Sequence, residues 1–405
     1  MRGRSTIGWA PLFGICFGGW SMQKVIIWGL NEVTRYFIQR CWVELEKDFE
    51  VVAFTQTEDE FSDGGGVANN GFIRVENLVS KFVYPSHLRE IDYDICFVAA
   101  FDFGQMLNKI KSRGFIPDNK QIIPAFQFAN IAYRIRFLKF CDQNEAFKNE
   151  NLRVYEFVKN HSLVMYPYEW FHNVKDIPVE IHDDRGCGMK YAIYNGKKMY
   201  YPINSSAEQI AGSINFFIKE QMLQSPHCYR PNAFHNIFKG DIVVDGGAAE
   251  ANFSLDIIDM AKKIYIYEGE ARWIAALEKT FQDYQDRVVI IDKFLDSSVH
   301  RGYETIDNTV TEKEINFIKM DIEGYELKAL YGAKEHIRNS SNLRLSICAY
   351  HNHEDAEMLS WYLQSLNCKC HVGEGKLFRT DDSIWQSRVP DLRHGMIYAV
   401  KEKAD

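Results

Sequence analysis

The sequence predicts an α/β protein built around a doubly wound, mostly parallel sheet, and two stretches carry that expectation. In Ile242-Val-Val-Asp-Gly-Gly-Ala-Ala-Glu250 a short apolar strand ends on Asp245 and breaks into Gly246 and Gly247. It then enters a helix bearing Phe253, Leu255, Ile257 and Ile258, and a second strand, Ile264–Tyr267, ends on Glu268, 21 residues after Gly247. In Asn316-Phe-Ile-Lys-Met-Asp321-Ile-Glu323-Gly324 another strand ends on an acid, and a helix starts after the glycine. Both are strand-turn-helix units in which the hydrophobic period switches from two to 3.6. Ligands in such sheets bind outside the carboxyl ends of the strands. Asp245, Glu268, Asp321 and Glu323 are therefore expected on one rim.

The elements follow in order. Arg2 and Arg4 precede an apolar run, Ile7–Trp20, that imitates a signal peptide but is short for a membrane span and closes on no small-residue cleavage site. Residues 1–21 are read as a leader, with Met22 as the natural start. Residues 22–150 read as a small Rossmann-like α/β domain, with strands at Lys24–Trp28, Glu50–Phe54, Tyr93–Ala100 and Gln121–Phe126 and helices at 31–47 and Phe103–Arg113. Its turn, Gly29-Leu-Asn-Glu-Val-Thr34, keeps one glycine of the dinucleotide motif and lacks the other two. The next strand ends Thr55-Gln-Thr57 with no acid for a ribose. Ser62–Gly66 reads as a surface loop. Residues 151–232 read as a β-hairpin with a lead-in helix: Val179–His182, then Met189–Tyr194 and Lys197–Tyr201 joined by Asn195-Gly196, and a helix over 207–223. From 233 to 405 strands and helices alternate: strands at 242–245, 264–268, 288–291, 315–320 and 343–349, helices at 252–262, 271–283, 325–337 and 354–366, and a closing antiparallel pair, 369–372 with 395–400.

The chemistry sits on the rim. A tight glycine turn, Gly246-Gly247-Ala248, lets the backbone approach a ligand closely, and Glu268 at the next strand tip suits the two hydroxyls of a ribose. An acid before the glycines argues against a pyrophosphate, which a helix N-terminus would otherwise attract. It suits the ammonium of S-adenosylmethionine. Asp292, at the tip of 288–291, is read as meeting the adenine edge or ribose, or as a turn acid. Asp321 and Glu323 could bind the charged end of the cofactor, hold a divalent cation through oxygens, or position a substrate hydroxyl; helix capping is the plainer alternative. The strand Leu343–Ala349 runs on to Tyr350 and His351 at the same rim. A histidine there can take the proton of an alcohol, against the alternative of a loop histidine. His353 is read as a cap for the helix at 354. Tyr265, Tyr267 and Trp273 are read as packing groups, and Arg388, Arg393 and His394 as a charged loop or contacts for an acidic substrate.

With these residues in view the chain resembles the FkbM-type methyltransferase family. The pieces that carry the likeness are Val243–Ala248, Ile266–Glu268 with Trp273 and Ala276–Phe281, Ile318–Gly324 running into Ala329–Ala333, and Ile347–His351. The resemblance covers about 240–400 and implies a class I methyltransferase sheet of seven strands, the last antiparallel. It also implies S-adenosylmethionine-dependent O-methylation, often of sugars or glycan-like products. By that likeness Asp245, Gly247 and Glu268 are cofactor contacts and Asp321 an active-rim residue. The helix-entry glycine usual in such motifs is Ala251 here.

Bulk properties bound the rest. The 405 residues carry a net charge of -8, which argues against a general nucleic-acid or anionic-membrane surface. Nine cysteines without a C-x-x-C read as reduced thiols of a cytoplasmic protein. The expectation is an S-adenosylmethionine-dependent O-methyltransferase acting on a sugar, glycan or saccharide-linked hydroxyl, with His351, Asp321 and Glu323 as catalytic residues. Asp245, Gly246, Gly247, Ala248, Glu268, Asp292 and Asp321 are the expected cofactor contacts. A small-molecule or glycan acceptor, no nucleic acid and no membrane span are expected; a divalent metal is an option and not a requirement. The rivals are a nicotinamide-dependent sugar oxidoreductase or epimerase using the first domain, and a non-catalytic binding module that kept the fold.

Overall fold

A computed structural model describes residues 22–57, 71–100, 102–379 and 390–401. The expectations for residues 1–21, Ser62–Gly66 and Arg388 lie outside the described residues. The chain divides into two units; the described residues up to Tyr168 form one, and Glu169–Arg379 with 391–401 form the other.

The first unit holds a six-stranded sheet: β1 (Gln23–Trp28), β2 (Phe49–Thr55), β3 (Phe72–Val75), β4 (Leu78–Phe82), β5 (Ile95–Val98) and β6 (Gln121–Pro124). Their order is β3-β4-β2-β1-β5-β6, parallel except for the β3–β4 hairpin. Asn31 caps the helix Glu32–Leu45 by accepting the Thr34 N–H. That helix packs Phe37, Ile38, Cys41, Trp42 and Leu45 into a core with Ile27 and Phe97. The 19-residue helix Ala125–Gln143 was not expected: its apolar residues ring it instead of forming one stripe, so periodicity gives no signal. The unit also runs past residue 150. The helix Leu152–Asn160 buries Val154, Tyr155, Phe157 and Val158, and an apolar face of that size needs the packing of a core.

In the second unit β7 (Ile181–Asp184), β8 (Met189–Tyr194) and β9 (Lys197–Tyr201) form a meander. Asn195 and Gly196 stand at φ 48° and 76°, so Tyr194 pairs directly with Lys197 across a two-residue turn. The helix Ala207–Glu220 opens on a capping box between Ser206 and Gln209. The strands β10 (Ile242–Gly246), β11 (Lys263–Tyr267), β12 (Val288–Ile291), β13 (Phe294–Leu295), β14 (Tyr303–Glu304), β15 (Phe317–Met320), β16 (Leu343–Cys348), β17 (Lys369–Val372), β18 (Lys376–Phe378), β19 (Leu392–His394) and β20 (Met396–Lys401) follow. Seven of them make one sheet in the order β12-β11-β10-β15-β16-β20-β17. The first five are parallel, and β20 runs antiparallel to β16 and β17. The expected seven-stranded sheet with an antiparallel last strand is therefore present. The order reverses at β10, which opens a crevice at the carboxyl ends of β10 and β15. The helix expected over 325–337 is instead two, Glu326–Tyr331 and Lys334–Asn339. They part at Gly332, where a Cβ would stand 2.2 Å from the Asp296 carbonyl oxygen. One apolar core beneath them joins Val244, Tyr265, Ile318, Leu330, Leu345 and Leu363.

Candidate active site

The glycine turn is shaped by what crosses it. Gly247 has φ +76°, and a Cβ there would lie 2.0 Å from the Asp321 carbonyl oxygen. Its N–H donates to Tyr267 O at 2.9 Å, so the ends of β10, β11 and β15 meet on this residue. Ala248 is buried beside it. Ala249 and Ala251 stand at φ 42° and 66°, the left-handed region that costs an L side chain about 1–2 kcal/mol. Ala251 thus occupies, under strain, a position whose backbone suits glycine.

Glu268 lies at the tip of β11, nearly buried. Its carboxylate accepts the Ala249 N–H at 3.0 Å and the Glu270 N–H at 2.8 Å. Burial raises its pKa, these backbone donors pull it back, and the balance stays above the ordinary value. Asp292 is exposed at the tip of β12, on the same edge.

Asp245 is fully buried. The sequence points it at a ligand's ammonium. In the fold its carboxylate accepts Lys319 Nζ at 2.9 Å and Ser254 Oγ at 2.6 Å. Lys319 also donates to the carbonyls of Gly247, at 2.7 Å, and Gly246, at 3.3 Å. Burial works against the Lys319 charge, but Asp245 and Asp321 outweigh it and lift its pKa above the usual lysine value. Lys319 was not singled out in the sequence, although a lysine flanked by Ile318 and Met320 inside a strand signals a buried partner.

Around Asp321 five groups converge. Tyr229 OH donates to Oδ2 at 2.9 Å, and Tyr350 OH to Oδ1 at 3.4 Å. His227 Nε2 lies 3.7 Å from Oδ2, and His351 Nε2 3.4 Å from Oδ1. Glu323 reaches within 3.7 Å of His351 Nε2 from a left-handed backbone, φ +56°. Behind the imidazole, His351 Nδ1 is 2.8 Å from Glu326 Oε1, which also accepts the Ile322 N–H. Burial disfavours the His351 cation, yet Glu326, then Asp321 and Glu323, hold its pKa above the ordinary histidine value. Desolvation, then Asp321, raises the Tyr229 phenol well above its usual range.

The fold thus brings Asp321, Glu323 and His351 together, as expected, and adds His227, Tyr229, Tyr350 and Glu326. His227 and Tyr229 come from the stretch before β10, some 90 residues away in sequence, where no local pattern marks them. Tyr265 and Tyr267 pack in the core, their hydroxyls on Thr311 and Thr309, and Trp273 packs against Met189, Tyr200 and Ala276. His353 does not cap the helix Asp355–Ser365: its side chain is exposed, and the Asn352 N–H is met by the Asp355 carboxylate at 2.6 Å. Arg393 binds the Asp391 carboxylate and the carbonyls of Tyr350 and His351, so it braces the loop that carries His351.

Strand order and the reversed seventh strand are those of the class I methyltransferase sheet, and the candidate site lies at its switch point. The family resemblance is matched in its most specific part: residues 298–369 match the family model described as Methyltransferase FkbM domain. That segment holds Asp321, Glu323, Glu326 and His351. No curated protein matches the chain. Among solved structures the chain is similar to the methyltransferase FkbM from Methylobacillus flagellatus KT, at 16% identity over 93% of this chain and 90% of that one, TM-score 0.38. It is also similar to an rRNA methylase from Streptococcus thermophilus (13% identity, 42% and 92% covered, TM-score 0.31). A third is the precorrin-6y C5,15-methyltransferase from Geobacter metallireducens GS-15 (11%, 41% and 84%, TM-score 0.29). Likenesses this distant bear on no acceptor. No helix of the described residues is long and apolar enough to cross a membrane.

Proposed function

We propose that the chain transfers the methyl group of S-adenosylmethionine to a hydroxyl of a sugar, glycan or saccharide-linked small molecule in the cytoplasm. The observation that carries this reading is the meeting of two kinds of surface at one strand edge. The Gly246–Gly247 turn, where a Cβ at Gly247 would strike the Asp321 carbonyl oxygen, adjoins a carboxylate–imidazole–phenol cluster around Asp321. On this reading Gly246, Gly247 and Ala248 lie along the cofactor, Glu268 exchanges its backbone donors for the ribose hydroxyls, and Asp292 stands near the adenine. Asp245 acts through Lys319, which ties it to the carbonyls of the turn. The acceptor hydroxyl meets the Asp321–Glu323–His351 side. In an in-line displacement its oxygen forms the new C–O bond as the methyl C–S bond breaks. The sulfonium leaves as a neutral thioether, and the hydroxyl proton passes to the rim. The cofactor is already activated, so alignment and proton acceptance are the chain's main contributions. The net charge of -8 supports a small-molecule or glycan acceptor over a nucleic acid.

The test is calorimetry with S-adenosylhomocysteine, followed by turnover. Glu268→Ala removes a charged acceptor worth about 1.5–3 kcal/mol per hydrogen bond, so affinity is expected to fall roughly ten- to a hundred-fold. His351→Ala is expected to lower turnover by about 10²–10⁴-fold with cofactor affinity nearly unchanged. Wild-type turnover in His351→Ala, or unaltered affinity in Glu268→Ala, would remove the corresponding assignment.

A further inference from the structure

The chain around His351 decides where its imidazole points. Glu323 and Gly324 stand at φ 56° and 94°. This left-handed pair turns the chain at the tip of β15, and the helix Glu326–Tyr331 starts two residues on. A Cβ at Gly324 would lie 3.0 Å from the Asn352 amide nitrogen and 3.5 Å from the His351 Cβ, so bare backbone there lets the His351 loop close on the helix start. Asn352 Nδ2 donates to the Gly324 carbonyl at 3.2 Å, and Arg393 donates to the His351 carbonyl at 2.7 Å. Those bonds fix the backbone of His351, and two further contacts orient its ring. The Tyr350 ring lies against it, centroids 4.1 Å apart, and Glu326 Oε1 sits 2.8 Å from Nδ1. Glu326 is 1% exposed, and a carboxylate buried that deeply needs charged or hydrogen-bonding partners. The Ile322 N–H at 2.9 Å is one, and the His351 ring supplies another.

We propose that Glu326 is a positioning residue for methyl transfer: by accepting the Nδ1–H of His351 it keeps the lone pair of the neutral ring on Nε2. The inference rests on the reading of His351 as the base. Which tautomer a neutral histidine adopts is set by the hydrogen bond its other nitrogen makes. Nε2 is the nitrogen on the side of the rim acids, 3.4 Å from Asp321 Oδ1 and 3.7 Å from Glu323 Oε2. With the ring proton on Nδ1, the acceptor oxygen spends a lone pair on the new C–O bond. Its O–H electrons remain on oxygen as the proton moves to Nε2, and the C–S pair stays with sulfur. The imidazolium so formed has Glu326 behind it and Asp321 and Glu323 in front. Asp355, at the start of the helix Asp355–Ser365, adds a further negative charge, and the Arg393 guanidinium braces the same loop. Burial opposes the cation, but Glu326 first, then Asp321 and Glu323, outweigh it.

The experiment uses the full chain with isotope-labelled histidine, whose His351 signals are assigned in heteronuclear NMR by their loss in His351→Ala. The neutral wild-type ring should carry its proton on Nδ1 and titrate above about 6.5, the ordinary value. Glu326→Gln is nearly isosteric and can still accept the Ile322 N–H, so S-adenosylhomocysteine affinity should stay near wild type while His351 titrates lower. Turnover is read as transfer of labelled methyl from S-adenosylmethionine to a total saccharide extract of the source cell. It should rise with pH through the ring's value, and that rise should move to lower pH in Glu326→Gln. Glu326→Gln should also slow transfer by up to about 10²–10⁴-fold, the whole worth of a general base. The double variant Glu326→Gln, His351→Ala should be no slower than His351→Ala alone, because residues that act as a unit are not additive. A merely structural Glu326 would add its own loss. If the wild type labels nothing, the acceptor reading on which the proposal rests has failed. If it labels the extract but the neutral ring carries its proton on Nε2, or the double variant loses the product of the two single losses, the proposal itself is overturned. The tautomer measurement needs no variant beyond the assignment, so a Glu326→Gln chain that fails to fold still leaves it decisive.

Discussion

Lys319 shows how one residue can set a whole turn. It is a buried cation with a buried anion, Asp245, at 2.9 Å, and its remaining donors fasten two carbonyls of the glycine turn. Breaking such a pair by removing one partner leaves an uncompensated charge and costs about 3–5 kcal/mol, whereas replacing both is often neutral. Asp245→Asn is therefore expected to lower the unfolding free energy by about that amount, although its volume hardly changes. The double variant Asp245→Asn, Lys319→Met should regain much of the loss. Denaturant unfolding of the two singles and the double closes the cycle, and additive losses would remove the pairing argument. At this scale the sequence was legible where chemistry is local: acids at strand tips and glycines at the turn stand out within ten residues. It was not legible for Tyr229, whose partner Asp321 is 92 residues away, nor for Glu326, which reads as a helix cap until the fold brings His351 to it.

Elements carry the next level of meaning, and their glycines separate structural from functional demands. Gly247 and Gly196 have the same φ, +76°, but a Cβ at Gly247 would strike the Asp321 carbonyl oxygen at 2.0 Å, and at Gly196 nothing lies within 4 Å. Gly196→Ala should cost only the left-handed backbone term, about 1–2 kcal/mol, with cofactor affinity unchanged. Gly247→Ala should displace the β15 tip and abolish measurable S-adenosylhomocysteine binding. Equal effects of the two on binding would contradict the close approach. Helix Lys334–Asn339 offers a pH test away from the site. His336 Nδ1 sits 2.7 Å from Asp307, and that hydrogen bond lifts its pKa above the usual value. A raised histidine pKa stabilises the fold fully below the unfolded value, about 6.5. The contribution fades as pH rises through the folded value. The Tm difference between wild type and His336→Gln should thus be large near pH 5.5 and shrink toward pH 9; a constant difference would deny the linkage. Element type was readable for most elements with one apolar face, although the helix Leu152–Asn160, which buries Val154, Tyr155, Phe157 and Val158, was missed. It failed for Ala125–Gln143, apolar all round, and for β3 and β4, four and five residues long, too short for alternation to register.

At the scale of the molecule, the chain contains two sheets that begin alike, and the contrast between their first turns says which should bind a nucleoside cofactor. In the second unit the turn after β10 is two glycines whose carbonyls Lys319 holds, with an acid, Glu268, at the tip of β11. In the first unit the turn after β1 is filled by its own side chains. Gln56 accepts the Leu30 N–H at 2.8 Å, Asn31 accepts the Thr34 N–H at 3.2 Å, and the Asn31 amide donates to Ala99 O at 2.7 Å. A Cβ at Gly29 would meet that same carbonyl at 2.7 Å, so this glycine serves close packing of strand against strand. A pyrophosphate needs free N–H groups at the helix start, and two of them are already capped. β2 ends on Thr55-Gln-Thr57, buried and without a carboxylate for a ribose. The full chain is therefore expected to bind one equivalent of S-adenosylhomocysteine in calorimetry and to give no saturable heat with NADH or NADPH up to about 1 mM, the affinity range worth only about 4 kcal/mol. Gln56→Ala, which frees the Leu30 N–H, should not create a dinucleotide site, because the missing glycines and acid remain missing. A micromolar NADH complex of the wild-type chain would give the first turn a ligand and revive the oxidoreductase alternative.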